Sequence, residues 1–240
     1  MAVEEMSKNK AKAVGVVLAH MNAGRWKTAE MNLLDAMRLF PNDFGFLKLM
    51  GNVKVRQDQS KEAILWFKKA VKLAPKNTDI LLDLSKAELL SQNAVSATKT
   101  LQKAVKIDPK FALGWHMLAK SYEVQGQQAE ALNAYKTTMK LQPDSVVAAS
   151  DLLSALERYD RMDEMNEALV SISEVAPEHP VVKTFQGIVR FREQEFEKAK
   201  ELLESVTLLG TDGSGNRELE SMRIQYLAKS CDQLGLGNEA

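Results

Sequence analysis

The stretch that decides the fold is ALGWHMLAKSYEVQGQQAEALNAYKTTMKLQPDS, residues 112–145, which ends two residues after a proline. The chain has six prolines, and five of them recur every 34 residues, at Pro41, Pro75, Pro109, Pro143 and Pro177. Proline cannot continue an α-helix, and it disfavours helical geometry in the residue before it. Prolines at a fixed interval therefore predict an array of identical helical units.

Units that end two residues after each proline align in columns. They cover residues 10–43, 44–77, 78–111, 112–145 and 146–179, with a sixth at 180–213. Position 20 of the unit holds Ala29, Ala63, Ala97, Ala131, Met165 and Ala199, whereas position 24 holds Leu33, Phe67, Leu101, Tyr135, Leu169 and Leu203. Position 30 holds Leu39, Leu73, Ile107, Leu141, Val175 and Leu209. A small residue one helical turn before a large one favours close helix packing.

Each unit contains two stretches of helical apolar spacing, separated by a short polar break. The breaks include NAGR at 22–25, QDQS at 57–60, VQGQQ at 124–128 and REQE at 192–195. We therefore predict that each unit is a hairpin of two helices of about 14 residues. A single hairpin cannot bury its apolar stripe, so neighbouring hairpins must stack.

These columns resemble the tetratricopeptide repeat. Its signature has an aromatic residue at position 4, Leu at 7, a small residue at 8, Tyr at 11, Ala at 20, an aromatic residue or Leu at 24, Ala at 27 and Pro at 32. The fourth unit departs from it only at Thr138 and matches it at Trp115, Leu118, Ala119, Tyr122, Ala131, Tyr135 and Pro143. The resemblance implies an all-α, right-handed superhelical solenoid of antiparallel helix pairs.

The C-terminal end departs from the regular period. The segment LAKSCDQLGLGNEA, 227–240, aligns without gaps on 118–131. Seven extra residues precede it around GTDGSGN, 210–216, where the expected proline is absent. We expect an array of six repeats over 1–209, a glycine-rich linker over 210–216, and a partial seventh repeat or capping helix over 217–240. A module taken from a longer protein is equally compatible with this pattern.

Residues that could support catalysis or bind a metal are few. A single cysteine, Cys231, excludes an internal disulfide or a cysteine-based metal site, and its column predicts a packing role. His20, His116 and His179 fall in different repeats without metal-ligand spacing; we expect His20 in the core and His179 solvated. The glycine-rich segment lacks the Lys-Ser/Thr of a phosphate-binding loop. We therefore expect no enzyme activity, cofactor or metal.

The resemblance also predicts where a partner binds. In this family the first helix of each repeat lines a concave groove, and positions 2, 5, 6, 9, 12 and 13 face a bound peptide. The corresponding side chains, from repeats two, three and four, are Lys48, Leu49, Asn52, Val55 and Arg56; Leu82, Asp83, Lys86 and Leu89; and His116, Met117, Lys120 and Glu123. This lining suits an extended or amphipathic peptide, although Leu49, Leu82 and Leu89 could instead pack on neighbouring helices.

One subfamily binds C-terminal carboxylates through a clamp of five basic and amide residues. Lys48 and Asn52 match its first two positions, but Asp83, Leu113 and Met117 occupy the remaining three. An aspartate would repel a carboxylate at close range. The sequence therefore argues against this clamp.

Charge is balanced in total but unevenly distributed. The chain has 32 Lys and Arg residues against 32 Asp and Glu, yet the first 120 residues have 20 basic and 11 acidic side chains, and the last 120 have 12 and 21. A solenoid keeps this split in space, so the early repeats should attract acidic segments and the later ones basic segments. Nucleic acid binding is not expected, because the lysines are not interleaved with aromatic residues.

These features favour a non-catalytic protein-interaction scaffold or adaptor. Two alternatives remain: a structural protein that assembles as a homo-oligomer through its basic and acidic halves, and a targeting module of a larger enzyme. No apolar run reaches the roughly 18 residues of a membrane helix, and the N-terminus does not resemble a signal peptide. We expect a cytoplasmic location and no membrane insertion.

Overall fold

The computed structural model describes residues 2–206 and 217–236, and the side chains of all of these except residues 2–4. Within these residues the chain forms thirteen α-helices and no β-strand. The helices are α1 Ala2–Asn22, α2 Trp26–Leu39, α3 Phe44–Arg56, α4 Ser60–Leu73, α5 Thr78–Leu90, α6 Ala94–Ile107, α7 Ala112–Val124, α8 Gln128–Leu141, α9 Val146–Arg158, α10 Met162–Val175, α11 Pro180–Arg192, α12 Phe196–Glu204 and α13 Arg217–Gln233.

The helices follow the 34-residue period that the prolines predict. The odd-numbered helices from α1 to α11 are called the A helices. Those from α3 to α11 begin at the first residue of each unit and have 13 residues. The even-numbered helices, called the B helices, begin at position 17, and those from α2 to α10 have 14 residues. The prediction of paired helices separated at the polar breaks is confirmed.

Three helices, α1, α12 and α13, depart from this register, and α13 begins at Arg217 and has 17 residues. α1 begins at Ala2, eight residues before the first unit boundary at 10. α12 has nine residues, and the Ser205 hydroxyl at its end donates to the Leu202 carbonyl at 2.7 Å, which competes with continuation of the helix. The expected linker at 210–216 lies outside the described residues.

A left-handed residue at position 15 ends the A helices. Its φ is between +56° and +71° at Gly24, Asp58, Gln92, Gly126, Asp160 and Gln194. The next N–H then bonds to the carbonyl of position 11, as from Gln59 to Lys54 at 2.9 Å, in the manner of a Schellman motif. After α13, Gly235 has φ +74° and the Leu236 N–H bonds to the Cys231 carbonyl at 2.8 Å, which repeats this turn.

Polar side chains at position 34 cap several A helices. Asp43, Asn77 and Ser145 each accept a hydrogen bond from a backbone N–H in the first turn of the following helix. His179 does the same, because its Nδ1 accepts from the Val181 N–H at 3.2 Å. His179 is half-buried, so the histidine that we expected to be solvated is only partly exposed to solvent.

The core is built from the two columns of small and large residues. All six residues at position 20 have zero exposure, and those at position 24 are buried. A Cβ on Gly51 would lie 2.5 Å from the Phe67 ring, so the glycine at position 8 permits this close approach. Position 30 differs: Leu39, Leu73 and Val175 are 73%, 44% and 53% exposed, because they lie at the ends of B helices.

The chain divides into two compact units, Met1–Ala134, called unit 1, and Tyr135–Ala240, called unit 2. In unit 1 each helix from α1 to α6 packs on the next one in sequence, and A helices also contact A helices, α3 with α5 and α5 with α7. In unit 2, α9 to α13 pack in the same consecutive way, and α11 also contacts α9 and α13. Each unit is therefore an α-helical repeat solenoid.

Among the described residues, no helix combines the length and the apolar character that crossing a membrane requires.

Candidate interaction surface

The predicted groove residues belong to A helices of unit 1, and we call the surface that these helices present the A-face. It consists of the accessible side chains at positions 2, 5, 6, 9, 12 and 13 of the A helices of unit 1. Its central part comes from α3, α5 and α7, and α5 contacts both of the others. Asn52, His116 and Lys120 are half-buried on this surface, and Arg56 and Lys86 are exposed.

A charge pair crosses the A-face between α3 and α5. Lys48 Nζ lies 3.4 Å from Asp83 Oδ2, and both side chains are partly buried. Burial raises the pKa of Asp83, although the ammonium groups of Lys48 and Lys86 oppose this effect. A ligand carboxylate approaching Lys48 would meet Asp83, so the geometry adds to the argument against a carboxylate clamp.

Leu82 lies in the core and not on the A-face. It is 5% exposed and packs in a cluster with Leu101, Val105 and Leu118. Its assignment to the groove lining is therefore wrong, because the side chain fills the space between α5, α6 and α7. Leu49 and Met117 are half-buried and pack against the edges of core clusters, where part of each side chain remains accessible.

The A-face has exposed apolar residues that the sequence argument passed over. Leu90 is 60% exposed and Val124 is 70% exposed, and both lie at position 13, in repeats three and four. Leu113, at position 2, is 48% exposed. The signal was available, because position 13 already placed Arg56 in the groove and the same column continues with Leu90 and Val124.

In unit 2, residues at positions 12 and 13 of two A helices contact α13. The Tyr226 hydroxyl on α13 donates to Glu157 Oε1 at 2.6 Å, and its ring packs edge-on against Phe191 with centroids 5.2 Å apart. Arg158, beside Glu157, pairs with Glu218 at 3.0 Å. Burial and the Glu157 carboxylate raise the pKa of Tyr226 to about 12. Positions 12 and 13 of α9 and α11 thus contact α13.

The titratable residues singled out in the sequence do not converge on a catalytic or metal site. Over residues 2–206 and 217–236, no group of three or more His, Cys, Asp or Glu side chains is placed to hold a metal ion. Cys231 is 1% exposed, which confirms its packing role. His20 is half-buried and not fully in the core, and its Nδ1 is buried without a hydrogen-bond partner.

Family models of the tetratricopeptide repeat match residues 54–121 and 115–145. The chain therefore contains tetratricopeptide repeats over residues 54–145. Repeats of this kind are typical of protein–protein interaction scaffolds.

The chain matches only part of the length of its curated relatives. The anaphase-promoting complex subunit CDC16 of Saccharomyces cerevisiae is 29% identical over 107 residues, which are 45% of this chain and 13% of that protein. The protein O-mannosyl-transferase TMTC1 of Mus musculus is 29% identical over 161 residues, which are 65% of this chain and 17% of that protein. The chain therefore spans less than a fifth of either relative.

Solved structures agree with the fold. PilF of Pseudomonas aeruginosa superimposes with a TM-score of 0.69 at 12% identity, covering 92% of this chain and 99% of that one. A MamA protein gives 0.62 at 19% identity, covering 72% and 94%. YrrB, described as a tetratricopeptide protein with an unusual peptide-binding site, gives 0.57 at 19% identity, covering 75% and 93%. At these identities the likeness establishes the fold alone.

Proposed function

We propose that the chain is a non-catalytic scaffold that binds a peptide segment of a partner protein on the A-face of unit 1. The observation that carries this proposal is the pair Leu90 and Val124, two large apolar side chains exposed by more than half on neighbouring A helices. Exposed apolar side chains grouped on one surface are typical of interaction sites. Buried on binding, each would contribute about 1 kcal/mol or more.

A second row of A-face residues supplies polarity. Asn52, Lys86 and Lys120 occupy position 9 of successive repeats, one turn before Arg56, Leu90 and Val124 at position 13. A polar and an apolar row therefore run side by side across α5 and α7, whereas both positions are polar on α3. Such a surface favours a peptide with apolar anchors and neutral or acidic flanking residues.

The spacing of the helices limits the shape of the peptide. Packed helix axes lie about 8–10 Å apart, and an extended strand advances about 3.3 Å per residue. Anchors over Leu90 and Val124 would then be about three residues apart in an extended segment. Peptide binding by a tetratricopeptide fold is also stated for YrrB, and CDC16 is a subunit of a multiprotein complex; both support this function for the present chain.

The test uses peptides selected from a random linear library on the full chain, with affinity measured by fluorescence anisotropy. Leu90→Glu is expected to weaken the selected peptides by about tenfold or more, because it places a charge in the apolar row. Leu65→Glu is the matched control, since Leu65 is 61% exposed but lies on the B helix α4. Equal affinities for the two variants would overturn the proposal.

A further inference from the structure

A second recessed surface of unit 1 lies away from the A-face, between two B helices. We call it the α2–α4 groove. It has a volume of about 560 Å³, and its apolar lining consists of Leu34 and Met37 from α2, Pro41, Leu47 from α3, and Trp66 and Leu73 from α4. Leu34 is 43% exposed and Leu73 is 44% exposed, so the apolar lining is open to a partner.

The charged residues that line this groove are all cations. They are Arg38, Lys69 and Lys72, and no carboxylate is among the lining residues that the structure describes. Lys69 and Lys72 are exposed on α4 three residues apart, on the same side of the helix. Lys69 Nζ lies 4.2 Å from the centroid of the Trp66 ring, so cation and aromatic surface are adjacent. Arg38 is paired with Asp35 at 2.9 Å.

A related groove in unit 2 indicates which of these features are specific. Between α8 and α10 a groove of about 430 Å³ is lined by Met139, Pro143 and Val175, at the same repeat positions as Met37, Pro41 and Leu73. Its charges are mixed, because Lys136 and Lys140 face Glu164 and Glu167, and Lys136 pairs with Glu164.

An apolar groove beside the proline turn therefore follows from the repeat itself. The aromatic and wholly cationic lining of the α2–α4 groove does not follow from the repeat. Trp66 occupies position 23, where the unit 2 groove has Ala168, and Lys69 occupies position 26, where it has Ser171.

We propose that the α2–α4 groove binds an acidic amphipathic helix of a partner protein. Apolar side chains of that helix would enter the groove against Trp66 and Leu73, and its carboxylates would pair with Lys69 and Lys72. A flat membrane surface would not reach the recessed apolar lining, and a nucleic acid would leave it uncovered. This site goes beyond the proposed function, because it shares no residue with the A-face.

The experiment titrates the full chain with three fluorescent 16-residue synthetic peptides. The first has Leu on one helical face and Glu on the other, the second replaces Glu with Gln, and the third replaces Leu with Ser. We expect the first to bind, and the second and third to bind at least about fivefold more weakly, because each lacks one of the two complementary features.

Variants localise the binding. Lys69→Glu with Lys72→Glu is expected to weaken the first peptide about tenfold or more, and Leu73→Gln by about threefold or more. Lys61→Glu with Lys68→Glu is the matched control on the same helix, because both lysines are exposed and outside the groove. It should change the affinity by less than about twofold, because salt screens the effect of charges outside the groove. Melting temperatures check that each variant folds.

Four outcomes would overturn the proposal. These are equal losses for the two lysine pairs, equal binding of the Ser peptide, binding of phosphatidylserine vesicles that depends on Lys69 and Lys72, and self-association in sedimentation that the Lys69 and Lys72 changes abolish. The last result would identify a second copy as the occupant. Leu90→Glu should leave the first peptide unaffected, so failure here is distinguishable from failure of the A-face proposal.

Discussion

Backbone conformation at position 15 is the residue-scale feature that the sequence least reveals. The turn needs φ near +60° in every repeat, and Gly24 and Gly126 meet this requirement without strain. Asp58, Gln92 and Gln194 adopt the same conformation with a Cβ. Propensity alone would not assign a left-handed glutamine. Here the packed helices on both sides impose the turn, so only the alignment of repeats exposes it.

Gln92→Gly tests this residue-scale strain. We expect it to raise the free energy of unfolding by about 0.5–1 kcal/mol, because the relief of left-handed strain exceeds the entropy that glycine adds to the unfolded chain. Urea denaturation followed by circular dichroism measures the change. Gln127→Gly is the control, since Gln127 is exposed in the equivalent turn of the next repeat but does not have a positive φ. It should be neutral or destabilising, and a loss of stability in Gln92→Gly would contradict the argument.

At the scale of helices, the boundaries could be predicted almost to the residue, because proline, the polar break and the small–large columns repeat in step. Burial on a particular helix face was harder to predict. Leu82 and Asp83 are adjacent on α5, yet Leu82 fills the core while Asp83 reaches Lys48. The burial of a charged residue at position 11 was also unpredictable. The family pattern expects tyrosine there, but α3 has Lys54, which is 7% exposed.

Ion pairs of Lys54 connect α3 to the helices on both sides of it. Lys54 Nζ lies 2.8 Å from Glu30 on α2 and 3.1 Å from Glu62 on α4. The hydrogen bond from Lys54 lowers the pKa of Glu30. Burial alone would lower the pKa of Lys54, but its hydrogen bonds with Glu30 and Glu62 raise that pKa on balance. The folded state therefore favours both charged forms.

Glu30→Gln tests this link between repeats. We expect a loss of about 1 kcal/mol at pH 7, a modest value because the Glu30 side chain is 27% exposed and partly screened by solvent. The carboxyl has a lowered pKa in the folded state, so its contribution is present above the unfolded pKa of about 4.3 and is lost as pH falls through the folded pKa.

The difference between wild type and Glu30→Gln in urea unfolding should therefore shrink from pH 7 to about pH 3. Glu62→Gln serves as the comparison, because Glu62 is 53% exposed and should contribute less. A difference that stays constant with pH would attribute the loss to side-chain packing and not to charge.

At the scale of the molecule, the zero net charge is the sum of a positive unit and a negative unit. Unit 1 contains 20 basic and 13 acidic residues, and unit 2 contains 12 and 19. The order of charges along the chain was readable from the sequence. Which charges remain available for a partner was not, because pairs such as Lys48 with Asp83 and Lys54 with Glu30 form only when helices pack.

The charge split predicts which ligands each unit attracts. A photo-crosslinking peptide rich in Glu should label unit 1 several-fold more than unit 2, and a Lys-rich peptide should do the reverse, because opposite charge raises the local ligand concentration. Peptide mapping by mass spectrometry locates the labelled residues. The preference should weaken as NaCl rises from about 50 to about 500 mM, since the screening length falls well below 10 Å. Even labelling of both units by both peptides, or a preference that salt leaves unchanged, would mean that the charge split does not select partners.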